Sequence, residues 1–232
     1  MKQFIFNFSG KQPRKDFNAK HILGGKGANL AEIGRLGLSV PPGFTISTKV
    51  CDLFYKNKKK LPPFIIKSVK NELGLIEKVT KKRFGDQKNP LIVSIRSGAR
   101  VSMPGMMDTI LNLGLNDKTV LALAKETSNA RFAKDSYRRF IQMYSTVALG
   151  IESYKFEELI ENYKLTKGVI MDMELDENDW DGLIKNFKDL IKQETKKNFS
   201  QNVNEQLYAA ISAVFLSWES NRAKVYRKLH QI

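Results

Sequence analysis

Near Thr119 the hydrophobic pattern of this chain changes period, and with it the kind of structure the chain can form. Beyond that point apolar residues recur at helical spacing over 119–126, 130–148, 154–164, 178–196 and 204–229, separated by short polar turns. Ahead of it, short strand-like runs alternate with helical ones. Phe4 to Phe8 reads as a strand. Leu30, Ile33 and Leu36 mark one face of a helix that follows a run of glycines. Val40-Pro-Pro-Gly-Phe-Thr-Ile46 is a rigid turn feeding a strand, and Thr48 is placed to cap a helix through about Tyr55. Pro62 to Phe84 carries a helical period that stops at Gly85-Asp86, and Leu91 to Arg96 follows as a short strand whose continuous apolar start suggests burial. The fold class is therefore α+β, a mixed first part joined to an all-helical one, with no repeat of helix-pair length and no low-complexity linker.

Two segments are too unusual for routine scaffold. The first is Gly24-Gly-Lys-Gly27 at a helix start. Amide groups at a helix N-terminus point at an anion, glycine lets a phosphate approach, and Lys26 supplies a compact positive charge. The spacing matches neither the Walker pattern nor the dinucleotide fingerprint, so a simple tight turn stays open as the alternative. The second is Ser94 to Asp108, which runs off the end of a strand with Arg96 and Arg100 among small residues, then a Pro-Gly turn and paired methionines. Arginine's planar fork holds two phosphate oxygens at once and stabilises charge on a transferring phosphoryl group, which makes Arg96 the first candidate for that role. The plainer alternative pairs Arg96 and Arg100 with a local carboxylate such as Asp108.

The 39 Lys and Arg against 24 Asp and Glu leave a net charge of +15, which attracts polyanions of any kind. The lysines cluster at 56–60, at 81–83 with Arg83, and at 192–197, within helical segments and without interleaved aromatics. They read as solvated helix faces, and nucleic acid is not the expected partner. Cys51 is the single cysteine, which excludes an internal disulfide and a thiolate zinc site; it reads as a small buried hydrophobe. No apolar run reaches the ~20 residues needed to cross a bilayer, and Met1 to Phe8 is too short for a signal-peptide core. A soluble cytoplasmic protein with no membrane partner is the expectation.

Taken in order, Leu23-Gly-Gly-Lys-Gly-Ala-Asn-Leu-Ala-Glu-Ile33, Val40-Pro-Pro-Gly-Phe44, Phe84-Gly-Asp86, Val93 to Asp117 with its Ser-Met-Pro-Gly-Met-Met-Asp-Thr core, and Arg131-Phe-Ala-Lys-Asp-Ser-Tyr-Arg-Arg-Phe-Ile-Gln-Met143 resemble the N-terminal domain of pyruvate, phosphate dikinases. The resemblance spans essentially the whole chain, including Ala213 to Trp218 and Asn221 to Arg227. It implies a partial ATP-grasp-like nucleotide-binding domain with an inserted all-helical subdomain: residues 1–117 as the mixed first subdomain, 118–203 as the helical insertion, and 204–232 as a helix returning to the first.

Such enzymes use ATP and phosphate to phosphorylate a carrier histidine, which passes the group to pyruvate, giving AMP, diphosphate and phosphoenolpyruvate. By position, Lys26 and the glycines Gly24, Gly25 and Gly27 would meet the ATP phosphates, and Arg96 the phosphates in transfer, with Arg100 and Asp108 as further candidates. The resemblance places the Mg2+-binding carboxylates, the last ATP-grasp subdomain, the carrier-histidine domain and the pyruvate barrel outside this chain, so no metal is assigned here. Neither His21 nor His230 stands in the carrier's sequence context; both read as helix-flanking or surface residues. Turnover is then expected to need a chain supplying the missing domains. The alternative is a non-catalytic module that binds a nucleotide or a partner.

Overall fold

The computed structural model describes residues 3–8, 19–99 and 107–231. In chain order the first elements are β1 (Ile5–Asn7), α1 (Ala19–Arg35), β2 (Phe44–Ile46), α2 (Thr48–Lys56) and α3 (Pro63–Thr80). Then come β3 (Arg83–Phe84), β4 (Pro90–Leu91), β5 (Val93–Arg96) and β6 (Thr109–Leu113). The helices α4 (Thr119–Thr127), α5 (Ala130–Ala148), α6 (Ser153–Lys167), α7 (Glu177–Thr195), α8 (Val203–Ser217) and α9 (Asn221–Leu229) complete the series, with a 3-10 turn at Asp172–Glu174. The strands pair two by two: β1 with β2 antiparallel, β3 with β4 parallel, and β5 with β6. Among the described residues no helix is long and apolar enough to cross a membrane.

The chain divides into two compact units. The first comprises residues 1–81, 96–108 and 211–232. Here α1 is two helices meeting at Gly24, whose φ of 71° and ψ of 175° are open essentially to glycine alone. A Cβ at Gly24 would also lie 1.3 Å from the Gly98 carbonyl oxygen, so the position is closed to any side chain. Phe6, Ile22, Leu23 and Ala31 form a buried cluster between β1 and both parts of α1. Ser47, not Thr48, caps α2: its hydroxyl accepts from the Lys49 amide, while Thr48 Oγ1 donates to the His21 carbonyl at 2.5 Å. The two hydroxyls are adjacent, and only the tertiary contact to His21 decides which of them caps. Phe54 is fully buried on α2, with its ring 5.4 Å from that of Phe215, and Tyr55 Oη donates to the Phe215 carbonyl.

Two helix ends differ from the sequence expectation. α3 stops at Lys81, which takes the left-handed conformation, ahead of Gly85. The apolar run expected as one helix over 204–229 is two, because Ser220 accepts from the Ala223 amide and starts α9. Cys51 is half-buried on α2; burial pushes its thiol up to about 11, with the Asp52 and Glu219 carboxylates adding to the effect. A thiol so placed is a poor nucleophile at neutral pH.

The second unit comprises residues 82–95 and 109–210. Its axis is α5, which carries Tyr137, Phe140, Ile141 and Tyr144 on a buried face packed against α4, α7 and β6. The β strands of residues 83–95 and 109–113 thus belong with the helices in this compact unit. The reason is that β6 sends Ile110 and Leu113 into the helical core at 0 % exposure, and Asn112 Nδ2 donates to the Ser136 carbonyl on α5. β5, expected to be buried, alternates half-buried and exposed residues because its two-stranded sheet leaves one face open.

The Arg131–Met143 run acts here as structure. Arg131 Nε and Nη2 donate to the Leu175 and Asp172 carbonyls, each at 2.7 Å, and so hold the 3-10 turn. Arg138 is buried over the Trp180 ring, 4.9 Å from its centroid, and ion-paired to Asp135 at 2.5 Å.

The start of α7 is closed by a reciprocal cap. Asp176 accepts from the Asn178 and Asp179 amides, while Asp179 Oδ2 accepts from the Asp176 amide. Asp179 Oδ1 also accepts from Lys167 Nζ at 2.7 Å and from the Tyr163 hydroxyl. Burial alone would raise the Asp179 pKa, but these donors outweigh it and hold the carboxyl below its ordinary value.

Two outcomes follow. Gly24→Ala should lower the melting temperature sharply, with the disallowed backbone alone costing about 1–3 kcal/mol before the overlap is counted. A variant that melts like the wild type would mean that the kink is not formed. Asp179→Ala should destabilise by roughly 1–3 kcal/mol through the lost cap and its orphaned amide. Because the folded carboxyl is the more acidic, its contribution is complete above the unfolded pKa of about 4 and is lost as pH falls through the folded value. Thermal melts across acid pH should show a steeper fall for the wild type than for Asp179→Asn, and parallel curves would refute this.

Candidate functional site

The two segments that stand out in the sequence meet through their backbones in the first unit. Gly24 lies against Gly98, and the Gly25 amide donates to the Ala99 carbonyl at 3.0 Å. The approach is close on both sides, since a Cβ at Gly98 would sit 3.3 Å from the Leu23 carbonyl oxygen. The kink at Gly24 is what turns the chain so that this approach occurs. Past the kink, Gly27 is buried against β2, where a Cβ would come 2.8 Å from Thr45 Oγ1. Gly24 and Gly27 are thus required by conformation and packing, and the Gly25 amide already has a carbonyl partner.

Lys26 and Arg96 flank this contact. Lys26 is exposed on the first turn after the kink, and Arg96 is the exposed last residue of β5, two positions before Gly98. Among the described residues neither makes an ion pair or a side-chain hydrogen bond. Other exposed lysines of the first unit, such as Lys58 and Lys70, share that lack of a partner, so what marks these two is their place beside the Gly24–Gly98 contact. Two uncommitted positive charges on segments pinned together by backbone contact suit a polyphosphate, whose negative charge needs partners that do not have to move.

Asp108 is engaged by a residue that the sequence reading did not single out. Arg222 Nη2, on the first turn of α9, donates to Asp108 Oδ1 at 2.9 Å. The pairing with Arg96 or Arg100 held open above is therefore not the one seen for Asp108, and Arg100 lies outside the described residues, as does the Ser102–Met106 stretch. No sequence signal links Asp108 to a residue 114 positions away; only the return of α8 and α9 to the first unit brings them together. Arg222 is largely exposed, so the pair orients the end of the 96–108 segment more than it stabilises the fold.

The donor set does not suit Mg2+. Asp108 is neutralised by Arg222, and among the described residues no three of His, Cys, Asp or Glu group together to hold a metal. His21 lies ahead of the kink on α1, and His230 closes α9 with its ring against Tyr226, 4.2 Å between centroids.

Comparison with known proteins gives the family. The sequence profile described as the pyruvate phosphate dikinase AMP/ATP-binding domain matches residues 20–73 and 58–232. Among curated relatives, a pyruvate, phosphate dikinase of Rhizobium meliloti (strain 1021) is 45% identical over 232 residues, which is 100% of this chain and 26% of the relative. One of Entamoeba histolytica is 49% identical over 217 residues, 94% of this chain and 24% of the relative. One of Clostridium symbiosum is 47% identical over 214 residues, 92% of this chain and 24% of the relative. The chain thus spans about a quarter of the length of the curated relatives it matches. With a match that runs from residue 20 to residue 232 and so takes in both segments of the site, the chain belongs to the pyruvate phosphate dikinase AMP/ATP-binding domain family.

Proposed function

We propose that this chain binds the phosphates of ATP as the first part of the ATP-grasp-like nucleotide-binding region of a pyruvate, phosphate dikinase. The supporting observation is the pinning of the Gly24–Gly27 turn to the 96–99 segment, with Lys26 and Arg96 uncommitted on either side. Lys26 neutralises the nucleotide's phosphate oxygens. Arg96, with its planar fork, holds the phosphates between which transfer takes place, so that charge building there meets a donor already in position. Asp108, held by Arg222, orients the end of that segment, and Arg100 is a further candidate for the phosphates by its place in the sequence.

On this reading the residues present bind and neutralise, and turnover draws on the parts of the relatives that this chain does not span. Mg2+ would be carried in with ATP and held by carboxylates supplied there. Phosphate, and a chain carrying the remaining dikinase domains, are the further partners, and the reaction is transfer from ATP to a carrier histidine on the way to phosphoenolpyruvate. The helical second unit corresponds to the inserted subdomain, and the compartment is the cytoplasm.

A ligand that binds only the folded chain raises its melting temperature by mass action, by about 2.7 kcal/mol of stability at a hundred times Kd. Titration with Mg-ATP should therefore raise the melting temperature of the wild type. Arg96→Ala and Lys26→Ala should each lose most of that rise while melting unchanged without ligand, because both side chains are exposed. An equal rise in both variants would sink the assignment.

A further inference from the structure

The second unit holds a groove that the nucleotide reading does not use. It lies between α4, α5 and α7 and has a volume of about 360 Å³. Its floor and walls are apolar: Val120 and Ile184 are buried, and Leu121 stands at the rim with 63 % exposure. Tyr137 completes the floor, and its position is fixed by polar contacts. Its hydroxyl donates to Asp117 Oδ1 at 2.9 Å and accepts from Gln201 Nε2, while the Asp117 amide donates to Gln201 Oε1.

Around this floor stand three ammonium groups. Lys134 Nζ is held by Asp181 at 2.5 Å, and its side chain is only 15 % exposed. Lys188 pairs with Asp117 and sits over the Tyr137 ring, 5.3 Å from its centroid. Lys185 lines the same groove, is exposed, and makes no ion pair or side-chain hydrogen bond among the described residues. Three lysines against two aspartates leave one positive charge.

We propose that this groove binds a small amphipathic anion, one ring or branched apolar body bearing a single carboxylate or phosphate group, with the apolar part on Val120, Tyr137 and Ile184 and the charge at Lys185. A cavity of this size is at the small end of ligand sites, which begin at about 300 Å³ and combine apolar walls with a few placed polar groups. The ion pairs already in place fix Lys134 and Lys188, so a ligand meets a rim that does not have to be ordered on binding. Lysines, and not clustered carboxylates, make the rim a place for an anion and not for a metal.

The test uses the full chain without nucleotide, which keeps its outcome separate from that of the ATP-phosphate assignment. Fluorine NMR with 4-fluorobenzoate and with 4-fluorobenzyl phosphate as probes should show saturable broadening with at least one of them, and comparison of the two tells carboxylate from phosphate. Lys185→Glu should weaken binding by about ten-fold, and Leu121→Ala should weaken it measurably. Lys70→Glu, the same charge change on an exposed position of α3 in the first unit, should leave it unchanged, as should Arg96→Ala. The neutral 4-fluorobenzyl alcohol should bind about ten-fold more weakly. Equal losses in Lys185→Glu and Lys70→Glu would reduce the effect to attraction by a chain of charge +15 and overturn the proposal. Tight binding of the alcohol, or no saturable signal from either anion, would overturn it too. Matching melting curves for the variants guard against loss by unfolding.

Discussion

The contact between the backbone of Gly24 and the Gly98 carbonyl is the constraint on which the arrangement of the first unit depends. It needs a residue without a Cβ, a backbone conformation open essentially to glycine, and a helix broken and restarted at that point. Once these are met, the Gly25 amide reaches the Ala99 carbonyl, and a helix start is tied to the end of β5. Lys26 and Arg96, far apart in sequence, come to flank one backbone contact. Glycine at such a place serves the protein first, and any ligand inherits the geometry.

The second unit depends on a different kind of constraint, the burial of one face of α5. Around Tyr137, Phe140 and Ile141 the neighbouring helices supply Trp180, Leu183 and Phe187, and β6 supplies Ile110 and Leu113. The charged residues of α5 are used at the edges of that core. Arg138 lies under cover with Asp135 and Trp180, and Arg131 holds carbonyls of the turn before α7. The Arg131–Met143 run, which carries part of the family resemblance, is thus largely a packing device, in which guanidinium groups satisfy carbonyls and a carboxylate that would otherwise be left without donors.

The net charge of +15 therefore matters less than how it is distributed. Lys167, Lys134 and Lys188 each face an aspartate across the second unit, and these pairs close caps and fix side chains. Charges left without such a partner are common among the described residues, so what informs is where each one sits. Arg96 and Lys26 are two of them, and Lys185 is a third in a different setting. An unpaired cation beside a rigid surface keeps its attraction for an anion, whereas a paired one has already given most of it to its neighbour.

Periodicity in the sequence determined the helices, because burying one face of a helix demands apolar residues at its own period whatever the partner; α4, α5, α6 and α7 fall close to where that pattern puts them. It also determined the family and the two segments of interest, since Gly24-Gly-Lys-Gly27 and the Arg96 loop are unusual as local chemistry. The tertiary structure alone decided the rest. It placed Ser47 and not Thr48 at the cap, joined β6 to the helical unit, and gave Asp108 to Arg222 across 114 residues. Each of these turns on which atoms the folded chain brings within about 3 Å, the reach of a hydrogen bond. A local pattern carries a residue's preferences and says nothing of its distant neighbours.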